Sequence, residues 1–294
     1  MTLLLDTPPG EDGLVVLRCG LWGYNAIGIV SGDEACAVDP GITPDEIEAL
    51  EAALEAGGRR VTHVVLTHSH HDHIRGWDRF PGAKVVAPRV VKDKEDGPRA
   101  RILAGKRKVD ERLEVDDAAF RYPEIDAWFD DEMTLRIGTL DVRLEFLPGH
   151  SNCTSIVHVP ALGALLTADY LVSPGLPYCR FEVAPFVSAH ERLREIVEAD
   201  GIELVVPAHN DLLESKGAAL AAIDEEIRYF ADLTADVAER LAAGTSPVRI
   251  VRAAAAHMAE RRGVDLGRKA VQDADNARRV LDELTRRSSP TSPS

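Results

Sequence analysis

The sequence predicts an α/β fold that is followed by a helical C-terminal extension. Short apolar strands, punctuated by Gly and Asp, alternate with capped amphipathic helices up to about residue 214. Polar side chains of metal-ligand type follow several of these strands directly, at the edge where α/β proteins build their sites. From residue 215 the pattern becomes almost purely helical. These three observations favour a large α/β unit with an added helical segment.

Composition and charge limit the classes of protein that need to be considered. A chain of 294 residues that is 45% hydrophobic can bury a large core. Its formal net charge of −15 argues against a nucleic-acid or anionic-membrane surface, because both require a dense basic patch. No apolar run approaches the ~20 residues of a membrane span, and the acidic start lacks a signal-peptide pattern, so a cytoplasmic location is expected. The four cysteines are widely spaced and are expected to be reduced core residues.

The N-terminal half begins with short strands in an antiparallel arrangement and continues into a helix. Thr43 is the expected N-cap of this helix, Pro44 occupies the first helical position, and Glu46 completes a capping box. The strands are predicted at residues 14–18, 25–31, 34–40, 62–67 and 84–88.

Residues 91–131 interrupt this pattern and are interpreted as a charged surface insertion, because they show little periodicity. Regular elements then return, including a helix that is expected to begin at an N-cap at Ser188, with Glu191 three residues later. Strands are predicted at residues 134–138, 140–148, 154–160, 163–169 and 202–210, and extension helices at 216–244, 247–263 and 273–287. The sequence therefore predicts a catalytic domain at 1–214, a helical extension at 215–287 and a disordered tail at 288–294.

The stretch HSHHDH uses four of the ten histidines of the chain within six residues, directly after a predicted strand. Alternate residues of an extended segment point the same way, so His68 and His70 can bind one ion. Asp72 and His73 then face a second ion, whereas His71 is expected to point away.

Three more residues of ligand type follow later strands: His150 in PGHS, Asp169 in TADY and His209 in PAHN. Neutral imidazoles suit Zn²⁺ and iron, and two divalent ions ~3.5–4 Å apart need an anion between them, which a bridging Asp169 would supply. The expected cofactors are two divalent metal ions, with Zn²⁺ preferred over Fe or Mn.

The motif HSHHDH, followed by PGHS, TADY and PAHN, resembles the metallo-β-lactamase fold superfamily over roughly residues 14–213. The resemblance implies an αββα sandwich of two mixed β-sheets with a dinuclear site at one edge. It also implies that Asp39, in AVDPG, orients a ligand histidine. The implied ligands are His68, His70 and His150 for the first metal, Asp72, His73 and His209 for the second, and Asp169 bridging both.

Departures from better-known members narrow the expected function. Asp169 counts against true β-lactamase activity, and His70, where iron-dependent reductases carry Glu, counts against a redox role. Val172 occupies the position of a lactonase tyrosine, for which Tyr170 and Tyr178 are the candidate substitutes. The basic residues that glyoxalase II relatives need for glutathione have no convincing match, and the acidic chain shows no basic exosite for RNA. Ester, thioester or lactone hydrolases with C-terminal helices over the active site remain.

The expected function is hydrolysis of a small-molecule ester, thioester or lactone by a hydroxide that bridges two metals, with Asp72 as the catalytic residue that orients it. The alternatives are a phosphodiesterase, in which Lys106, Arg107 and Lys108 hold the phosphate charge, and a metal-containing regulatory or binding protein with little turnover. Aromatic residues at 170–186 predict an apolar pocket for an acyl or aryl group. The apolar stripes of the extension are expected to serve packing or a homodimer interface.

Overall fold

The computed structural model describes residues 1–117, 120–172, 175–199, 201–261 and 268–288. The strands are β1 Thr2–Leu5, β2 Gly13–Arg18, β3 Asn25–Ser31, β4 Glu34–Val38, β5 Arg60–Val65, β6 Lys84–Pro88, β7 Ala127–Phe129, β8 Glu132–Ile137, β9 Leu140–Phe146, β10 Ser155–Val159, β11 Ala164–Ala168 and β12 Leu204–Pro207. The helices are α1 Pro44–Leu54, α2 Arg89–Lys92, α3 Asp96–Leu113, α4 Val183–Ala199, α5 Lys216–Ala242, α6 Pro247–Arg261 and α7 Arg268–Ser288.

The first sheet contains seven strands in sequence order, antiparallel from β1 to β4 and parallel from β4 to β7. Every residue of β3 is buried, because the second sheet covers one face and α1 covers the other. The helix approaches so closely that a Cβ added at Gly28 would lie 2.1 Å from Leu54 Cδ2. The predicted capping box of Thr43 and Glu46 begins α1. The antiparallel start and this helix are confirmed.

The second sheet has the order β12-β11-β10-β9-β8, with β11 and β12 parallel and the other pairs antiparallel. Apolar side chains from both sheets form one core between them, since Ile27 and Val38 of the first pack with Val142 and Leu166 of the second. Helices cover the outer faces. The predicted αββα sandwich of mixed sheets is therefore confirmed, together with three C-terminal helices.

Helix α4 begins at Val183, five residues before the N-cap predicted from the sequence. Ser188 is an exposed residue within the helix, so its predicted capping role is wrong. The first turn is instead completed from another element: the carboxylate of Glu283, in α7, accepts a hydrogen bond from the Val183 N–H at 3.1 Å. A cap supplied by a residue 100 positions away leaves no local pattern. Of the predicted disordered tail, residues 289–294 lie outside the described residues.

The charged segment 91–131 is more than a surface insertion, because it contributes α3 and the edge strand β7. Lys106 and Asp110, on the inner face of α3, are buried and paired at 2.8 Å, and Arg75 reaches the same carboxylate at 2.8 Å. The expectation that Lys106 is available to hold a phosphate is therefore wrong. Because the buried face of α3 is charged, a search for apolar periodicity could not find this helix.

No helix in the described part of the chain is long and apolar enough to cross a membrane. The four cysteines are buried free thiols, as the sequence predicts.

Removing the Asp110 carboxylate should be strongly destabilising. The Asp110→Ala substitution leaves Arg75 and Lys106 buried with too little opposing charge, which is expected to lower the free energy of unfolding by about 3–5 kcal/mol in urea denaturation. Glu111→Ala, at the neighbouring exposed position of the same helix, is the control and should change it by less than ~0.5 kcal/mol. Similar losses in both variants would contradict a structural role for the buried cluster.

Candidate metal centre

The seven residues predicted as ligands come together at one edge of the sandwich. His68 to His73 follow β5 in the first sheet, whereas the other three follow strands of the second sheet. Their nitrogen and oxygen atoms form two groups, each with all its ligand-type atoms within 4.8 Å of one another. The first group is His68, His70, His150 and Asp169, and the second is Asp72, His73 and His209.

In the first group, three ring nitrogens face each other at close range. His70 Nδ1 lies 2.9 Å from His68 Nε2 and 3.0 Å from His150 Nε2, and His150 Nε2 lies 3.1 Å from Asp169 Oδ2. His70 Nδ1 can carry at most one proton, so it can donate to only one of its two neighbours. A cation shared by these atoms would satisfy all of them.

The second group shares Asp169 with the first, through its other oxygen. Asp169 Oδ1 lies 3.1 Å from His73 Nε2 and 3.6 Å from His209 Nε2, and Asp72 Oδ2 lies 3.6 Å from the same His209 nitrogen. Asp169 Oδ1 and His73 Nε2 are both buried without a hydrogen-bond partner. Buried polar atoms without partners are costly, and two of them at the meeting point of the ligands fit a bound metal ion.

Four of the five imidazoles are oriented by an oxygen next to their Nδ1 atom. A donated Nδ1–H fixes the tautomer and leaves the Nε2 lone pair free for the centre. The partners of His68, His73, His150 and His209 are respectively Thr67 Oγ1 at 3.0 Å, Asp39 Oδ2 at 2.8 Å, the Tyr178 carbonyl at 2.7 Å and the Trp22 carbonyl at 3.2 Å.

The protonation states of the site also suit metal binding. Burial lowers the pKa of His68 and of His70 well below its usual value, so both imidazoles are neutral at pH 7. Burial alone would raise the pKa of Asp72 and Asp169, but nearby histidines, His73 foremost, hold both well below the usual value. For His73 itself, burial opposes the charged form, yet Asp169 and Asp72 raise its pKa well above the usual value. The fold therefore stabilises positive charge between these carboxylates.

His71 belongs to neither group. Its ring lies 6.0 Å from that of Trp22, and a Cβ added at Gly105 of α3 would lie 3.2 Å from its Cδ2 atom. The histidine therefore packs under α3, away from the centre, which is the direction expected from the alternation of side chains along the loop.

Fewer aromatic residues of segment 170–186 are available to line a pocket than the sequence predicts. Tyr170 is fully buried, and its hydroxyl donates to the Leu147 carbonyl and accepts from the His150 N–H. Phe186 is also fully buried, inside α4. Tyr170 is therefore a support for the His150 loop, and it is not a substitute for the lactonase tyrosine. Tyr178 and Phe181 are only partly buried.

Several residues that support the site are not predictable from local sequence. The Tyr24 ring packs edge-on against His73 and His209, with centroids 5.4 and 5.2 Å away. Asp39, by contrast, was expected to orient a ligand histidine and does contact His73; it also accepts hydrogen bonds from both the N–H and the hydroxyl of Thr67. Thr67 could have been inferred from its position next to His68. Nothing local in the sequence marks Tyr24 or the Trp22 carbonyl.

Comparisons with known proteins agree with this geometry. Residues 19–209 match the family model described as the metallo-beta-lactamase superfamily. A hydroxyacylglutathione hydrolase from Acidiphilium cryptum is 31% identical over 246 residues, which cover 82% of this chain and 86% of the relative. A beta-lactamase domain protein from Burkholderia ambifaria superposes with a TM-score of 0.65 at 20% identity, covering 96% of this chain and 91% of the other. A metallo-beta-lactamase family protein from Thermus thermophilus gives a TM-score of 0.64 at 19% identity, with 93% and 94% of the two chains covered.

Replacing Asp39 tests whether its contacts hold the site. In Asp39→Asn, an amide NH₂ replaces one acceptor oxygen. Either the Thr67 N–H, bound to Oδ1, or the Thr67 hydroxyl and His73 Nδ1–H, which share Oδ2, then lose their acceptor. The free energy of unfolding of the metal-free protein is expected to fall by about 1–3 kcal/mol in urea titration.

The matched control is Asp33→Asn, which makes the same charge change at an exposed turn residue and should cost less than ~0.5 kcal/mol. If the two variants were equally stable, Asp39 would not have the anchoring role assigned to it.

Proposed function

The chain belongs to the metallo-beta-lactamase superfamily, and on this basis we propose that it is a metal-dependent hydrolase that cleaves small acyl-thioesters and esters at a dinuclear centre. One observation carries the proposal: two groups of buried ligand atoms converge from both sheets, and the two oxygens of Asp169 face one group each. If only one ion were bound, the ligand atoms of the second group would have no cation to bind. The proposal therefore assigns Asp169 as the bridging ligand.

The residues divide between the two ions according to the groups they form. When bound, the divalent ions would polarise a substrate carbonyl and lower the pKa of water to about 7. Imidazole and carboxylate ligands suit Zn²⁺ best here, and Fe or Mn would also be accepted. We assign His68, His70, His150 and Asp169 to the first ion, and Asp72, His73, His209 and Asp169 to the second.

Asp72 is the residue we assign to proton transfer. Its Oδ2 atom faces the ring nitrogens of His73 and His209, whereas Oδ1 points towards His71 at 3.9 Å. The ionised carboxylate can orient an attacking water, accept its proton and pass that proton to the leaving group. His68 is neutral, and the Nδ1–H contacts hold the ligand histidines in place during this proton transfer. The site therefore reorganises little as the reaction proceeds.

The substrate class follows from leaving-group chemistry and from the relatives. A thiol with a pKa near ~8.5 leaves as thiolate with little protonation, so a site that relies on one carboxylate for proton transfer favours thioesters over amides. The relative from Acidiphilium cryptum that matches most of this chain is a hydroxyacylglutathione hydrolase, which supports a thioester. This similarity makes a glyoxalase II-like activity a candidate again. It was disfavoured from the sequence because the basic residues that bind glutathione have no convincing match.

The phosphodiesterase alternative loses its supporting feature in this structure. Lys106 is buried and paired with Asp110 and Asp117, while Arg107 and Lys108 are exposed on the outer side of α3. The alternative of a regulatory or binding protein with little turnover is tested by the experiments below. The cytoplasmic location, the homodimer and the division of the chain at residue 214 also stay predictions.

Metal content tests the dinuclear assignment. Protein purified without chelator is expected to contain close to two divalent ions per chain, mainly zinc. The seven proposed ligands form two groups, and the Asp169 carboxylate faces both. Elemental analysis of the purified protein measures this number. A reproducible value near one would leave a mononuclear site, and a value near zero would remove the metal assignment altogether.

A substrate panel tests the reaction. Metal-loaded protein should hydrolyse acyl-thioesters, including a hydroxyacylglutathione, faster than aryl esters, lactones and phosphodiesters. Asp72→Ala should lower kcat for the best substrate by about 10²- to 10⁴-fold because proton transfer is lost, with far-ultraviolet circular dichroism showing an intact fold. His71→Ala, which removes the adjacent histidine outside both groups, is the control and should retain activity. Preference for phosphodiesters, or equal losses in the two variants, would contradict the proposal.

A further inference from the structure

The backbone at residues 178–180 contacts His150 on one side. The Tyr178 carbonyl accepts the hydrogen bond from His150 Nδ1 at 2.7 Å, and the Arg180 N–H donates to the His150 carbonyl at 2.7 Å. The orientation of the His150 ring therefore depends on where this short backbone segment lies. It is not part of a strand or helix, so no backbone ladder fixes its position.

The other side of the same segment is held by Asn276 in α7. Its side-chain oxygen accepts the Cys179 N–H at 3.1 Å, and its NH₂ group donates to the Pro177 carbonyl at 2.7 Å. The Cys179 N–H belongs to the same peptide group as the Tyr178 carbonyl that points to His150, and the Pro177 carbonyl belongs to the peptide group before it. A single side chain thus fixes the peptide that orients His150 and the one that precedes it.

Asn276 is itself fully buried and fixed by its neighbours. Its NH₂ group also donates to the Tyr229 hydroxyl at 3.1 Å, which in turn donates to Asp273 at 2.8 Å. A buried amide costs free energy unless its donors and acceptor are paired, and here these contacts pair all of them. Two of its partners are backbone groups near the candidate metal centre.

Further contacts from α7 follow the same segment. Asp275 accepts from the Tyr178 hydroxyl at 2.9 Å, Arg279 donates to the Phe181 carbonyl at 2.9 Å, and Glu283 accepts from the Val183 N–H. These α7 positions are four residues apart, so they lie on one face of the helix. This face of α7 contacts residues 178–183 along its length. Among the α7 residues that contact this segment, Asn276 is the one that holds the backbone at the His150 hydrogen bond.

We propose that Asn276 is a positioning residue for the metal centre. Through the Tyr178 carbonyl it holds His150 in the Nδ1–H tautomer, with Nε2 directed at the first group of ligands. The C-terminal extension would therefore contribute to metal affinity although none of its side chains belongs to either ligand group of the described residues. The inference rests on the proposed role of His150 as a metal ligand.

The test compares Asn276→Ala with the wild-type protein by two measurements. In metal-free protein, long-range ¹H–¹⁵N NMR should show His150 as the Nδ1–H tautomer in wild type and as a mixture of tautomers in the variant, with the signals assigned by their loss in His150→Gln. In Co²⁺ titrations followed by visible absorption, one of the two binding steps should weaken by about 10- to 100-fold, the usual cost of losing a group that orients a ligand.

Glu283→Ala is the matched control. It removes another α7 contact to the same segment, the cap of α4, without touching the Tyr178 peptide, and should leave both the tautomer and the Co²⁺ affinity unchanged. Loss of affinity in this control as large as in Asn276→Ala would show a general loss of stability and overturn the proposal.

A second variant keeps the outcome decisive if Asn276→Ala fails to fold. Asn276→Asp has the same shape and still accepts from Cys179, but it cannot donate to Pro177, and it should shift the His150 tautomer in the same direction. Wild-type tautomer and affinity in the folded variants would overturn the inference alone. Failure of the wild type to bind Co²⁺ would overturn the proposed function, while the tautomer of metal-free protein would still decide the role of Asn276.

Discussion

The candidate site depends on how the Nδ1–H groups of four histidines are held. Each of them meets an oxygen that is fixed by the surrounding fold: a threonine hydroxyl, a buried carboxylate and two main-chain carbonyls. Because Nδ1 of each of these rings donates to its oxygen, the Nε2 atom points towards the centre. Without a cation there, the Nε2 lone pairs and the carboxylates would repel one another. The arrangement is costly to bury in the absence of metal, which is why it fits a metal site better than a chance cluster of histidines.

The two sheets are joined at the place where the ligands meet. The Ser155 N–H of the second sheet donates to the Thr67 carbonyl, next to His68, and the Asn25 N–H of the first sheet donates to the Ala208 carbonyl, next to His209. These bonds fix the two halves of the site relative to each other. The centre can form only when the sandwich is closed, so folding and site assembly are coupled.

The segments around the sandwich support the site in different ways. Helix α3 packs over His71, and its Lys106 and Asp110 form a buried charged cluster with Arg75, which follows the histidine loop. Helix α7 contacts the segment at 177–183, whose Tyr178 carbonyl orients His150. A buried ion-pair cluster contributes little net stability compared with apolar packing, but it tolerates little displacement of its members. Both helices therefore restrain loops that carry or contact ligands.

The sequence by itself determined the α/β class, the capped helix after β4, the three C-terminal helices and the set of residues that converge at the sheet edge. These features follow from local rules: apolar periodicity, capping residues, and ligand-type side chains placed directly after buried strands. Only the tertiary structure decided the start of α4, the existence of α3, the burial of Lys106 and the oxygens that orient each histidine. Glu283 caps a helix 100 residues away, α3 buries a charged face, and the Trp22 and Tyr178 carbonyls act through backbone atoms that every residue possesses. Contacts between distant segments, and contacts made by the main chain, leave no pattern in the order of side chains, because they depend on which surfaces the folded chain brings together.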